Sequence, residues 1–320
     1  MKVFMTGGTG LLGQALCRAL LARGDQVWVY SRRPAQVAAL CGAGVQAVAS
    51  LEGPVAQLAL GCEVWINLAG ESIAGGRWTP ARQALLRASR IGVTRQLQAL
   101  AASASAASQG QITGPRVILS GSAIGIYGDT GAQALAENQT PPAAPGFAAA
   151  LCREWEAAAQ ALGEALPQAR LVLLRTGLVM ARQGGLWPQL KRPALLGLAA
   201  RLGDGQQYQS WIHIDDWVRA ALALMDARCN ASGPVNLVAP QPLTQADFTR
   251  RMAWALGRPQ WLCVPGAALR LALGELADLV LDGQRVQPAR LLGEGATWPG
   301  LDGQPFLYPD WDSALRDLVR

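Results

Sequence analysis

Hydrophobic residues along this chain follow two different periods. Short apolar-rich runs at Val3-Phe4-Met5, Val27-Trp28-Val29-Tyr30, Val45 to Val48, Val64 to Leu68, Val117 to Ser120 and Leu171 to Leu174 have the length and composition of buried strands. After the first of them, Leu11, Leu12, Ala15, Leu16, Ala19 and Leu20 recur at helical spacing, and Gly24 stands where a C-terminal cap is expected. Apolar strands alternating with amphipathic helices predict an α/β fold built on a doubly wound parallel sheet with helices on both faces.

Punctuation residues place the remaining elements. Thr79 as N-cap and Pro80 at the first helical position predict a helix reaching Ala102 or so, followed by a loop over the Ala/Ser/Gly segment 101–114. Residues 129–147, rich in Pro, Ala and Gly, read as a loop over the site, and a helix carrying Arg153, Glu154, Trp155 and Glu156 comes next. Past Arg175-Thr176-Gly177 the pattern is irregular until Trp211-Ile212-His213-Ile214, where Asp215 is a natural N-cap for a helix to Met225. Val235 to Val238, a helix from Thr244 to Leu256 and an apolar helical stretch from Ala267 to Leu281 build a C-terminal part. The 320 residues therefore divide in two. Residues 1–180 with about 208–228 form a dinucleotide-binding part, and about 181–207 with 229–320 form a smaller α/β part that binds substrate.

The first turn carries the strongest chemical signal. In Thr6-Gly7-Gly8-Thr9-Gly10-Leu11-Leu12-Gly13, Gly7 allows a tight turn, Gly10 lets the backbone approach a pyrophosphate, and Gly13 allows helix to pack on sheet. Free N–H groups and the positive helix end favour the anion. The second strand ends in Ser31-Arg32-Arg33 with no acid to hold a ribose 2′-hydroxyl, so Ser31 and Arg32 point to NADP(H) ahead of NAD(H). A second small-residue turn, Leu68-Ala69-Gly70-Glu71, falls at the carboxyl end of strand four, where open α/β sheets bind ligands.

Composition narrows the alternatives. Hydrophobic residues make up 51% and charged ones 16%, which is a globular balance, and the net charge of +6 is scattered rather than gathered into a nucleic-acid-binding stripe. Six cysteines without a C-x-x-C pair predict neither a disulfide framework nor a metal site. With no run long enough for a membrane span, the expected location is cytoplasmic with reduced thiols.

The ordered set of the glycine turn, Asn67-Leu68-Ala69-Gly70-Glu71, Ser120-Gly121-Ser122-Ala123, Leu174-Arg175-Thr176-Gly177 and Trp211-Ile212-His213-Ile214-Asp215-Asp216 resembles the extended short-chain dehydrogenase/reductase superfamily. With Arg77-Trp78-Thr79, Ser89-Arg90-Ile91, Cys152-Arg153-Glu154-Trp155-Glu156 and the late Gly283-Gln284-Arg285-Val286-x-Pro288-x-Arg290-Leu291, it is more closely similar to an atypical branch, the epimerase family proteins with a distinctive C-terminal domain. The resemblance implies a Rossmann domain whose cofactor site also includes Arg90, Ser120, Gly121 and Thr176, and a monomer or homodimer.

It does not imply a known reaction. The superfamily uses a Ser or Thr with a Tyr-x-x-x-Lys pair, but here the only lysines are Lys2 and Lys191, and Trp187 stands four before the latter. Counted back from Glu156, the Lys position holds Cys152 and the Tyr position Ala148. Ser122 either holds a substrate oxygen or caps the strand-five turn. Tyr127 either supplies the missing phenol or is turn structure. Glu71, Arg175 and His213 are the substrate candidates, and Arg175, following a buried strand, needs a carboxylate or ligand partner. The expected function is an NADP(H)-dependent oxidoreductase or epimerase-like enzyme of unknown substrate, with a non-catalytic NADP(H)-binding sensor or interaction protein as the alternative.

Overall fold

Seven parallel strands form the central sheet: β1 (Lys2–Thr6), β2 (Gln26–Tyr30), β3 (Gln46–Val48), β4 (Val64–Asn67), β5 (Val117–Ala123), β6 (Arg170–Thr176) and β7 (Gly233–Leu237). Their spatial order is β7-β6-β5-β4-β1-β2-β3, so the chain winds first one way and then the other from β1. The computed structural model describes residues 1–107, 114–293, 298–301 and 303–320.

Alternation along the strands divides the core into two layers. On one face Val3, Met5, Val27 and Val29 pack with Leu16 and Leu20 of helix Leu11–Ala22 and with Trp217 and Leu224 of helix Ile214–Met225. On the other, Phe4, Trp28, Trp65 and Ile118 meet Leu97 and Leu162. Each of these side chains, withdrawn from water, contributes about 1.5–3 kcal/mol of hydrophobic stabilisation before entropy is counted. A third cluster gathers Trp187, Trp211, Phe248, Trp311 and Leu315 around the stacked rings of Phe248 and Trp311, 4.1 Å apart.

Several elements depart from the sequence expectation. The segment predicted as Val235–Val238 of the smaller part is β7, paired along β6 from Gly233↔Val172 to Leu237↔Thr176, because Val235 and Leu237 are apolar residues that the sheet edge can bury completely. The helix expected from Thr79 to Ala102 is broken: Pro80–Arg87, a π turn at Ala88–Gly92, then Val93–Ala107, with Thr94 Oγ1 donating to the Arg90 carbonyl at the break. It thereby overruns the start of the expected 101–114 loop, and 108–113 lie outside the described residues. The 129–147 loop includes a short strand, Ala134–Leu135, paired with Arg285–Val286. The stretch from Ala267 to Leu281 bends at Gly274, whose φ of 61° no helix accommodates. His213, rather than Asp215, caps helix Ile214–Met225 through Nδ1, which accepts from Asp215 N–H at 3.3 Å. Among the described residues no helix is long and apolar enough to cross a membrane.

Candidate functional site

The winding reverses between β1 and β4, which stay paired to Thr6↔Asn67, and the glycine turn lies at their carboxyl ends. Gly7 has φ 73°, and a Cβ there would lie 2.3 Å from the Leu68 carbonyl carbon, so the turn after β1 rests directly on the turn after β4. A Cβ on Gly13 would fall 2.4 Å from Gly7 O, which pins the helix to the turn. Gly10 differs from both. It is exposed, a Cβ there would touch only Gly7 O at 3.3 Å, and no side chain caps the helix end that it begins. Thr9 anchors the turn from below, its carbonyl accepting from Gln14 Nε2 at 2.7 Å, while Leu11 and Leu12 are half-buried. Gly184 and Gly185, which the sequence reading passed over, press against Leu11: Cβ atoms there would stand 2.8 and 2.9 Å from its methyl groups. Two consecutive glycines after the β6 region were their only signal.

Charges gather at the end of β2. Arg32 is 75% exposed at its side chain and meets Glu71 at 3.3 Å, and Arg82 approaches the same carboxylate at 3.9 Å. Glu71, expected at the substrate, is therefore placed beside Arg32. Ser31 Oγ accepts from Arg33 N–H at 3.1 Å. Next to these residues a cleft of about 530 Å³ is lined by Tyr30, Ala49, Ser50, Gln96 and Ala99. Arg90 lies across the second turn. Its Nη2 donates to the Glu71 carbonyl at 2.9 Å, its guanidinium covers Gly70, and it stacks 5.3 Å from the Trp155 ring centre. Burial lowers its pKa.

At the ends of β5, β6 and β7, Ser122, Arg175 and Asn236 stand in one row across the sheet. A buried network joins them. Ser122 Oγ donates to Glu156 Oε1 at 2.6 Å; Arg175 donates to both Glu156 oxygens at 2.8 and 2.9 Å and to Tyr127 Oη at 2.9 Å; Tyr127 donates to Asn236 Oδ1 at 3.0 Å. Asn236 N–H in turn donates to Glu137 at 2.9 Å. Burial works to lower the Arg175 pKa, but the bonds and charge of Glu156 outweigh it and raise it. Burial likewise pushes the Tyr127 phenol up, against the pull of Arg175 and Asn236. Tyr127 is fully buried with both hydrogen-bonding sides of its hydroxyl used, which is the geometry of a strut.

The wall where a Tyr-x-x-x-Lys pair would stand belongs to helix Phe147–Ala165. A Cβ built on Gly125 would lie 3.7 Å from Cys152 Sγ and 3.9 Å from Ala148 Cβ. Cys152 is buried, and desolvation pushes its thiol up to about 12, so it stays protonated at neutral pH. Ser120 is buried with its hydroxyl unpartnered among the described residues, Gly121 makes room for the Trp155 ring at 2.7 Å from its would-be Cβ, and Thr176 Oγ1 accepts from Trp217 Nε1 at 3.1 Å. His213 is withdrawn among other partners: Asp317 Oδ2 at 3.3 Å from Nε2 and the Tyr308 ring at 4.0 Å. Lys191 reaches the last helix, 3.4 Å from Val319 O. Sequence alone assigns Glu156 no role, but its spacing of four from Cys152 and eight from Ala148 puts the three on one helix face. Asn236 and Glu137 had no local signal.

A family model for the NAD dependent epimerase/dehydratase family matches residues 3–237, and a domain of unknown function matches residues 264–298. Epimerase family protein Mb2239 of Mycobacterium bovis is 39% identical over 292 residues, 90% of each chain, and YfhF of Bacillus subtilis is 34% identical over 321 residues, covering 100% of this chain and 98% of its own. Among solved structures, human epimerase family protein SDR39U1 with NADPH superposes with a TM-score of 0.80 at 29% identity, covering 100% and 99% of the two chains. A Bacillus cereus UDP-glucuronic acid 4-epimerase in complex with UDP-glucuronic acid and NAD gives 0.73 at 17% identity over 100% and 99%, a likeness of fold alone.

Proposed function

This chain belongs to the NAD dependent epimerase/dehydratase family, and from that premise we propose that it binds NADP(H) and acts as an oxidoreductase or epimerase-like enzyme on a small polar substrate. The observation that carries the cofactor assignment is the uncapped helix end at exposed Gly10, set between the Gly7 and Leu68–Ala69 turns, with Arg32 and no acid at the end of β2. The backbone N–H groups from Leu11 to Gly13 suit the linked phosphates, Gly10 N–H being held by Gly7 O at 3.0 Å, and Arg32 suits a 2′-phosphate, exchanging part of its contact with Glu71 for it. The relative SDR39U1 is described with NADPH, in the same direction. When bound, the nicotinamide supplies or takes up a hydride.

The protein's own part is to position the substrate and hold its proton. Because Ser122 gives its proton to Glu156, its oxygen is left as an acceptor, suited to a substrate hydroxyl or amine. Glu156, fixed by two bonds from Arg175, keeps that orientation from changing. Arg90 and Trp155 secure the second turn, and six free cysteines suit a reducing cytoplasm. Fluorescence or calorimetric titration with NADPH and NADH tests the cofactor, and a panel of carbonyl, alcohol and nucleotide-sugar compounds monitored by NADPH absorbance tests turnover. A preference for NADH, or no turnover across the panel, removes the corresponding half of the reading.

One observation favours the second reading, a non-catalytic NADP(H)-binding sensor: Tyr127 is sealed in its network and neither Ala148 nor Cys152 supplies an acid near neutrality. That reading expects Ser122→Ala and Tyr127→Phe to preserve a cellular phenotype that Gly10→Val abolishes.

A further inference from the structure

The segment matched by the domain of unknown function contains Arg285, on a strand fixed from both sides. Arg285–Val286 pairs in parallel with Ala134–Leu135; Gly283 N–H donates to Asp129 at 3.1 Å; Ser210 Oγ donates to Gln284 O at 2.7 Å and accepts from Val286 N–H at 2.9 Å. A Cβ on Gly283 would lie 2.4 Å from Tyr208 N, so two backbones meet here without a side chain between them. Val286 turns inward to the apolar cluster of Ile124 and Cys152. Arg285, its neighbour, turns the other way and lays its guanidinium 5.3 Å from the Tyr208 ring centre.

This cation lacks what the comparable arginines have. Arg90, Arg170 and Arg175, also withdrawn from solvent, each donate to carbonyls or carboxylates. Among the described residues Arg285 has no carboxylate within ion-pair distance and no hydrogen bond from its guanidinium, and its Nε is sealed from water without an acceptor. The sealed Nε fixes the side chain in place, and the two terminal nitrogens, which unlike Nε are not sealed from solvent, lie on an aromatic platform as a planar pair of N–H donors that matches two oxygens of one anion. We propose that Arg285 and Tyr208 form an oxyanion-binding site, separate from the glycine turn, for the phosphate or carboxylate group of a small ligand. Its two walls come from the strand at Tyr208 and the segment at Arg285, which are distant in sequence and joined through Ser210 and Gln284.

Calorimetric titration of the intact chain with inorganic phosphate, and separately with succinate, tests this in the presence and absence of saturating NADPH. The expected result is one-to-one binding of at least one of the two anions, unaffected by NADPH, and weakened about tenfold or more by Arg285→Gln. Which anion binds identifies the group. The guanidinium makes no hydrogen bond, so Arg285→Gln should keep the parent's melting temperature and NADPH affinity. Tyr208→Leu, which removes the platform, is expected to weaken the same anion and carries the test if the glutamine variant folds poorly. Absence of binding by both anions, or equal binding by parent and variants, overturns the proposal. A failure to bind NADPH would count against the cofactor reading and leave the Arg285 comparison intact.

Discussion

Arg175 meets Glu156 edge to edge inside the protein, Nε to Oε1 at 2.8 Å and Nη2 to Oε2 at 2.9 Å, with both side chains almost wholly withdrawn from water. Two strands and a helix depend on that contact, since Arg175 stands on β6, Ser122 on the neighbouring β5, and Glu156 on the helix above them.

A buried pair of this kind is costly to break from one side. Arg175→Leu strands a carboxylate and should lower unfolding stability by about 3–5 kcal/mol, and Glu156→Leu should do similar damage. The double variant should lose clearly less than the sum, because no lone charge remains. Denaturant unfolding of all four proteins measures this, and strict additivity would contradict it.

Tyr127→Phe removes the hydroxyl between Arg175 and Asn236 while preserving the ring. The donor and acceptor left behind should cost about 1–3 kcal/mol of stability. NADPH affinity should be unchanged, because the hydroxyl is sealed below the site; a loss of turnover without loss of stability would instead make Tyr127 a catalytic group.

Gly10 and Gly13 separate binding from folding. Gly10→Val should fold with nearly the parent's melting temperature, having only Gly7 O close to the new Cβ, yet lose NADPH binding at the helix end. Gly13→Ala must push its Cβ off Gly7 O at 2.4 Å and should lower the melting temperature itself. Thermal melts and NADPH titrations of both distinguish the two roles.

Arg32 decides between the dinucleotides. Loss of a charge-assisted contact predicts that Arg32→Ala weakens NADPH by about tenfold or more and leaves NADH little altered. Equal weakening of both would place Arg32 outside the 2′-phosphate contact.

Asp282 sets a pH dependence. Burial first, then Asp278 and Asp129, raise its carboxyl from 3.8 to about 6. A carboxyl raised in the folded state adds stability that is fully present below its unfolded pKa and is lost as the pH rises through about 6. Asp282→Asn should therefore gain roughly 1 kcal/mol over the parent at pH 8, after discounting for its partial exposure, and nothing relative to the parent at pH 4. Denaturant unfolding at the two pH values checks the sign.

Local chemistry made the glycine turn and the strand–helix alternation legible, because close backbone approach needs glycine and buried parallel strands need continuous apolar runs. The need of Arg175 for a partner was legible too, from the cost of a lone buried cation. Which partner was not. Glu156 lies nineteen residues away on another element, and Asn236 sits at the end of a strand that looked like part of the smaller domain. The π turn at Arg90 and the strand pair at Arg285 were hidden for the same reason, since each depends on a contact from elsewhere in the chain.

The amino-acid order alone settled the doubly wound α/β architecture and the absence of a Tyr-x-x-x-Lys pair, since both are matters of which residue types occur at short, fixed spacing. Folding decided where the polar side chains went: Ser122 to Glu156, Tyr127 between Arg175 and Asn236, Glu71 to Arg32, and His213 to Asp317. A buried polar group takes its partner from whatever the sheet order brings within about 3 Å, and strand order is a long-range property that no local spacing encodes.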